Sequence, residues 1–96
     1  MRVRWLRPAL RALDEEAAYI AADDPEAARR IVERVLNAAA TLADQPAIGR
    51  PGRVPGTREW LVPKTRYLLP YRVRGGNIEI LTVFHTSRRL PKSWLR

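Results

Sequence analysis

Residues 45–56, Gln-Pro-Ala-Ile-Gly-Arg-Pro-Gly-Arg-Val-Pro-Gly, place three prolines and three glycines in twelve positions. Proline offers no amide donor and glycine carries a large entropic cost on ordering, so neither a helix nor a strand is expected to run through this stretch. The segment divides the chain into two parts with different periods. Before it, apolar residues recur at helical spacing. After it, they alternate. A loop this long inside a small chain is more often functional than idle, and it carries Arg50 and Arg53.

Ahead of the loop, residues 1–5 alternate apolar and basic as a half-buried strand does. Pro8 suits the first turn of a helix. Leu10, Leu13, Ala17 and Ile20 follow at helical spacing, which predicts a helix over about 8–22. Asp23-Asp24-Pro25 ends it and starts another, with Asp24 as cap, Pro25 in the first turn and Glu26 at the positive helix end. Ala28, Ile31, Val32, Val35, Ala39 and Leu42 form the apolar stripe of this second helix, predicted over 25–44.

Beyond the loop, strands are expected over Thr57–Val62, Arg66–Arg74 and Asn77–His85, the last two joined by a Gly75-Gly76 turn. Apolar groups on both faces of the third strand suggest a central position. Pro70 is awkward inside a strand and belongs at an edge or a bulge. The tail, Thr86 to Arg96, reads as basic and irregular. The expected fold is α+β: an N-terminal strand, an antiparallel helical hairpin, then a three-stranded antiparallel sheet with both helices on one side.

Ninety-six residues make one domain, 1–96. The absence of cysteine removes disulfides and thiolate metal sites, and a reducing cytoplasm is the expected location. No apolar run is long enough to span a bilayer, so membrane insertion is not expected. Charge is unevenly placed. Residues 1–44 hold seven Arg against eight Asp/Glu, whereas residues 45–96 hold eleven Lys/Arg against only Glu59 and Glu79. Self-repulsion opposes compaction, so a basic half of this kind points to an acidic partner.

Leu-Asp-Glu-Glu-Ala-Ala-Tyr-Ile (13–20) and Pro-Glu-Ala-Ala-Arg-Arg-Ile-Val (25–32) resemble the helical hairpin of the RelE/ParE toxins of bacterial type II toxin–antitoxin modules. Gln45-Pro46 through Gly49-Arg50-Pro51-Gly52 adds to the likeness. So do Pro70-Tyr71-Arg72-Val73-Arg74 and Ile78 to His85, which are similar to that family's last hairpin. The resemblance implies a small growth-inhibiting toxin, often of a plasmid-stabilising system, neutralised by a cognate antitoxin. It also implies one of two activities: RelE-like members cut mRNA on the ribosome, and ParE-like members poison DNA gyrase.

Cutting RNA by this route needs a proton acceptor, a proton donor and cationic stabilisation of the phosphorane. The resemblance places a nuclease arginine three residues before Tyr71, where this chain has Leu68. It also places a tyrosine near the C-terminus, whereas the last tyrosine here is Tyr71. The ParE-like, non-catalytic reading is therefore preferred, with no cofactor and no metal. The alternative is a ribosome-dependent mRNA endonuclease using Arg72, Arg88, Arg89 and His85, since a one-residue bulge at Pro70 would bring Arg66 or Arg72 towards position 68. A second alternative is a plain basic nucleic-acid-binding module.

The candidate contacts for target or antitoxin are Arg50, Arg53, Arg58, Lys64, Arg66, Arg72, Arg74, Arg88, Arg89 and Lys92. His85 equally fits a partly buried ring hydrogen-bonded to a neighbour. Tyr67 and Tyr71 are expected in the core, Trp60 in either role, and Trp94 as a possible base-stacking group. Asp14, Glu15 and Glu16 read as a solvated helical face.

Overall fold

Pro8 fixes a helical φ and needs no amide donor in the first turn, and the backbone turns from strand to helix just ahead of it. In the computed structural model, which describes residues 1–87, β1 spans Arg2–Trp5 and α1 spans Arg7–Ala21. Asp24 caps α2, Pro25–Asp44, by accepting the Ala27 amide at 3.1 Å. The buried residues of α2 are Ala28, Val35, Ala38, Ala39 and Leu42; of the expected stripe Ile31 and Val32 are only half-buried against the core, and Ala38 is added. In α1 the inward residues are Ala9 and Leu13. Leu10, expected on the apolar side, is 48% exposed, because α1 packs chiefly on α2 and turns only a narrow stripe, Ala9 and Leu13, into the core.

The remaining strands are β2 (Arg50–Pro51), β3 (Arg58–Leu61), β4 (Tyr67–Arg74), β5 (Asn77–Ile80) and β6 (Phe84–His85). Among the described residues they join β1 in one mixed sheet of order β1-β5-β4-β3-β2, with β6 also on β4. The expected three antiparallel strands are present, and the sheet extends further at both edges. β1 adds to β5 in parallel, Val3 beside Ile78 and Trp5 beside Ile80. β2 forms inside the Pro/Gly loop, against expectation. Pro51 is tolerated there because β2 is an edge strand and its missing donor leaves no ladder bond unmade inside the sheet.

The predicted third strand is broken. Tyr71 pairs with Ile80, yet Leu68 pairs with Phe84, so β5–β6 carries one residue more than β4 across the same span. This extra residue is a bulge, and it lies opposite Pro70. Pro70 has no amide to give the third strand, and its carbonyl accepts the Leu81 amide at 2.9 Å. The register of β4 against β3 is unbroken from Arg58–Tyr71 to Leu61–Leu68. The bulge is therefore on the partner strand, and neither Arg66 nor Arg72 moves into the place of Leu68.

The core lies between α2 and one sheet face, where Val35, Ala39 and Leu42 meet Leu69, Tyr71, Ile78 and Ile80. Leu68 and Phe84 form a small second cluster on the other face. No described helix is long and apolar enough to cross a membrane.

Candidate target-binding face

Strand alternation and the observed pairing give the sheet face opposite the helices a definite content. Cross-strand partners share a face. Arg4 lies beside Glu79, Glu79 beside Arg72, and Arg74 beside Asn77. Farther along, Arg50 lies beside Glu59, Glu59 beside Pro70, and Leu61 beside Leu68. The helices cover none of this face. It has a cationic end on β1, β5 and β4 and a mixed end on β2 and β3.

Two buried glutamates organise it. Glu79 accepts a 2.7 Å hydrogen bond from Nε of Arg72. That bond holds the Glu79 carboxyl below its ordinary pKa; burial acts against it, and the charges of Arg72, Arg74 and Arg4 add to it. Glu59 has a side chain only 1% exposed. One of its carboxylate oxygens faces Nη2 of Arg50 at 3.4 Å, and the other accepts the Arg53 amide at 3.1 Å. Nε of Arg53 stands 3.7 Å from that second oxygen, and the Arg53 guanidinium lies 5.4 Å from the centre of the Phe84 ring. Glu59 thus fixes two loop arginines whose own side chains are 65% and 46% exposed. A hollow of about 340 Å³ opens beside it, walled by Ile48, Leu61, Leu68 and Thr86.

Other predicted residues fall elsewhere. Tyr71 is fully buried, as expected for a core residue, but its hydroxyl has a task the sequence did not reveal. It donates to the Pro46 carbonyl at 2.7 Å and accepts the Gly49 amide at 3.0 Å. Burial raises its pKa above 10.0, opposed by the Gly49 bond and by Arg58. Gly49 is required at this approach, because a Cβ there would lie 2.7 Å from Cε1 and Oη of Tyr71. Arg58, a candidate binding residue, donates Nη1 to the Gly49 carbonyl at 2.8 Å, tying down the same loop. Lys64 sits in the β3–β4 turn with φ 62°, its carbonyl accepting from Arg34. Arg66 is exposed just before β4.

His85 is partly buried. Its Nδ1 accepts the Ser87 amide at 3.1 Å, and its ring meets Tyr67 edge-on at 5.2 Å. Tyr67 belongs to the helix-side core, so His85 and Arg72 lie on opposite faces and share no reacting centre. Trp60 packs against that same core. Arg88, Arg89, Lys92 and Trp94 lie outside the described residues. Arg2 and Arg4, which are not among the candidate residues read from the sequence, also lie on this face. Their alternation with Val3 and Trp5 was visible, but the strand that β1 would join was not.

The model for the "ParE toxin of type II toxin-antitoxin system, parDE" matches residues 3–90. The chain belongs to the ParE toxin family. It is a type II toxin–antitoxin toxin, and the family implies an antitoxin partner. Among proteins to which this ParE-family chain is similar is one from Sinorhizobium fredii (strain NBRC 101917 / NGR234) that carries the name "Putative toxin Y4kP". The two are 48% identical over 91 residues, covering 95% of this chain and 94% of that one. Among solved structures, one titled "Chromosomal ParDE TA system from P. aeruginosa" superposes with a TM-score of 0.78 at 30% identity. It covers 88% of this chain and 95% of that one. The ParE assignment and the α+β architecture therefore agree.

Proposed function

We propose that this ParE-family toxin inhibits DNA gyrase by binding, without performing bond chemistry, and that a cognate antitoxin neutralises it in the cytoplasm by covering part of the same open sheet face. The observation that carries the reading is Leu68. It is buried against Phe84 at the position where the resemblance to RelE-like nucleases places an arginine, and the unbroken β3–β4 register keeps any neighbouring arginine from replacing it. A leucine can neither contact a phosphorane through hydrogen bonds nor hold charge. Two further facts support it: the Tyr71 hydroxyl is committed to the loop, and His85 lies on the other side of the sheet from Arg72.

The mixed end of the face suits a protein partner. Exposed Ile48 and Leu61 flank the fixed pair Arg50 and Arg53, which gives an apolar centre beside arginine anchors. Purified toxin added to a gyrase supercoiling reaction is expected to block supercoiling and accumulate cleaved DNA, and the antitoxin is expected to restore activity. Primer extension on translated mRNA is expected to show no new ends. Codon-spaced mRNA ends with unimpaired supercoiling would replace this reading with the nuclease.

A further inference from the structure

The cationic end of the open face differs from the mixed end in kind. Its side chains are Arg2 and Arg4 on β1, Asn77 and Glu79 on β5, and Arg72 and Arg74 on β4. None is apolar and none is aromatic. A stable protein interface needs an apolar or aromatic centre, and this corner has none. Proteins that hold single-stranded nucleic acid stack bases on aromatic rings, and none is available here either. What the corner does present is four arginines. Among the described residues the side chains of Arg2, Arg4 and Arg74 make no hydrogen bond or contact ion pair, though the charges of Arg4 and Arg74 reach Glu79, and Arg72 commits only its Nε.

The spacing is set by the sheet. Arginines two residues apart on a strand stand about 7 Å apart, and strands separated by one neighbour stand about 10 Å apart. Glu79 occupies the middle of the side between Arg4 and Arg72, and Asn77 the middle of the side between Arg2 and Arg74. A small anion bridging Arg4 and Arg72 would meet the Glu79 carboxylate directly. An extended polyanion can straddle it and place successive phosphates on the corners. Duplex DNA supplies one negative charge per about 1.7 Å of axis, the densest common match. Arginine's fork pairs with phosphate oxygens two at a time, and all four cations here are arginine.

We propose that the β1–β5–β4 corner, through Arg2, Arg4, Arg72 and Arg74, is a sequence-independent binding surface for the phosphate backbone of duplex DNA. Glu79 acts as a positioning residue that holds Arg72 through its Nε and disfavours a small anion between Arg4 and Arg72. The surface contacts no base edges. It holds DNA whether or not gyrase is present, so it does not depend on the gyrase reading.

The test is fluorescence anisotropy of a labelled 20-base-pair duplex with the purified full chain. Four phosphate contacts give a slope of about −3.6 in log affinity against log salt, so affinity should fall about 150-fold between 50 and 200 mM NaCl. The triple variant Arg2→Ala/Arg4→Ala/Arg74→Ala should bind at least about tenfold more weakly at 50 mM, with a slope near −1. A triple of equal charge loss on the helical side, Arg7→Ala/Arg11→Ala/Arg30→Ala, should stay within about twofold of the parent, because those exposed arginines lie on α1 and α2. Single-stranded DNA of the same length should bind less well, and inorganic phosphate at matched ionic strength should compete no better than chloride. Absence of duplex binding at 50 mM salt, or equal losses in the two triples, overturns the proposal. If the first triple fails to fold, Arg2→Ala and Arg74→Ala taken singly decide, each expected to shallow the slope by about 0.9. Gyrase is absent from the assay, so a failed supercoiling block and a failed DNA interaction are separately visible.

Discussion

Replacing Tyr71 with phenylalanine removes one oxygen and should loosen the whole Pro/Gly loop. That oxygen donates to the Pro46 carbonyl at 2.7 Å and accepts from the Gly49 amide at 3.0 Å. The Gly49 amide is buried, and no water can reach it unless the loop lifts. Losing two hydrogen bonds of about 1 kcal/mol each, with one buried donor left unpaired, gives a destabilisation of about 2–3 kcal/mol. At about 6 °C per kcal/mol for a chain of this size, Tm should fall by about 12–18 °C. Thermal unfolding followed by circular dichroism measures it.

Gly49→Ala strikes the same contact from the other side. Its Cβ would also lie 2.9 Å from the Glu59 carbonyl oxygen, which is backbone and cannot swing away. Overpacking of this kind costs about 1–3 kcal/mol. Because both changes spend the same loop contact, the double variant should lose at least about 0.5 kcal/mol less than the two single losses combined. Any loss of toxicity in Tyr71→Phe should follow the loss of folded protein. A Tyr71→Phe protein melting within about 3 °C of the parent would refute the reasoning. Strict additivity with Gly49→Ala would refute it too.

Glu59→Ala should lower stability by about 2–3 kcal/mol in urea titration, because the Arg53 amide loses its acceptor and Arg50 its anchor. Glu59→Gln should fall between the two, and a neutral Glu59→Ala would remove Glu59 as the clamp of the loop. For Glu79 the folded pKa is below the ordinary 4.5, chiefly through the Arg72 hydrogen bond. The stability it contributes is therefore complete above that value and is lost as pH falls through the lowered one. Glu79→Gln should flatten the acid limb of a plot of urea midpoint against pH, and an unchanged limb would count against the linkage. Leu42→Ala, at a fully buried position, should cost about 2–5 kcal/mol, whereas Leu36→Ala, at an exposed one, should cost under about 0.5 kcal/mol by the same titration.

The helices were legible in the sequence because their signals are local. Pro25 after Asp24 fixes where α2 starts, and Ala28 to Leu42 fixes which side turns inward. The loop arginines were legible as candidates too. The sequence did not reveal that Arg58 would turn inward to the loop carbonyls, since alternation gives the face of a residue but not what that face packs against. Nor did it show β2, whose two residues pair only because the rest of the loop is already pinned by Tyr71 and Glu59.

The local order of strand, two helices, loop and strands was settled by residue types a few positions apart, through periods and turn chemistry that act within a short reach of chain. Tertiary packing alone decided which strands became neighbours. β1 and β5 meet across about seventy residues of sequence, and that pairing carries Arg2 and Arg4 to the side of Glu79 and Arg72. A two-residue period says which side chains share one face of one strand. It contains nothing about the strand alongside, because that choice is made by the burial of Val3, Trp5, Ile78 and Ile80 beneath α2. The cationic surface is therefore a property of the fold, assembled from arginines that the chain itself keeps far apart.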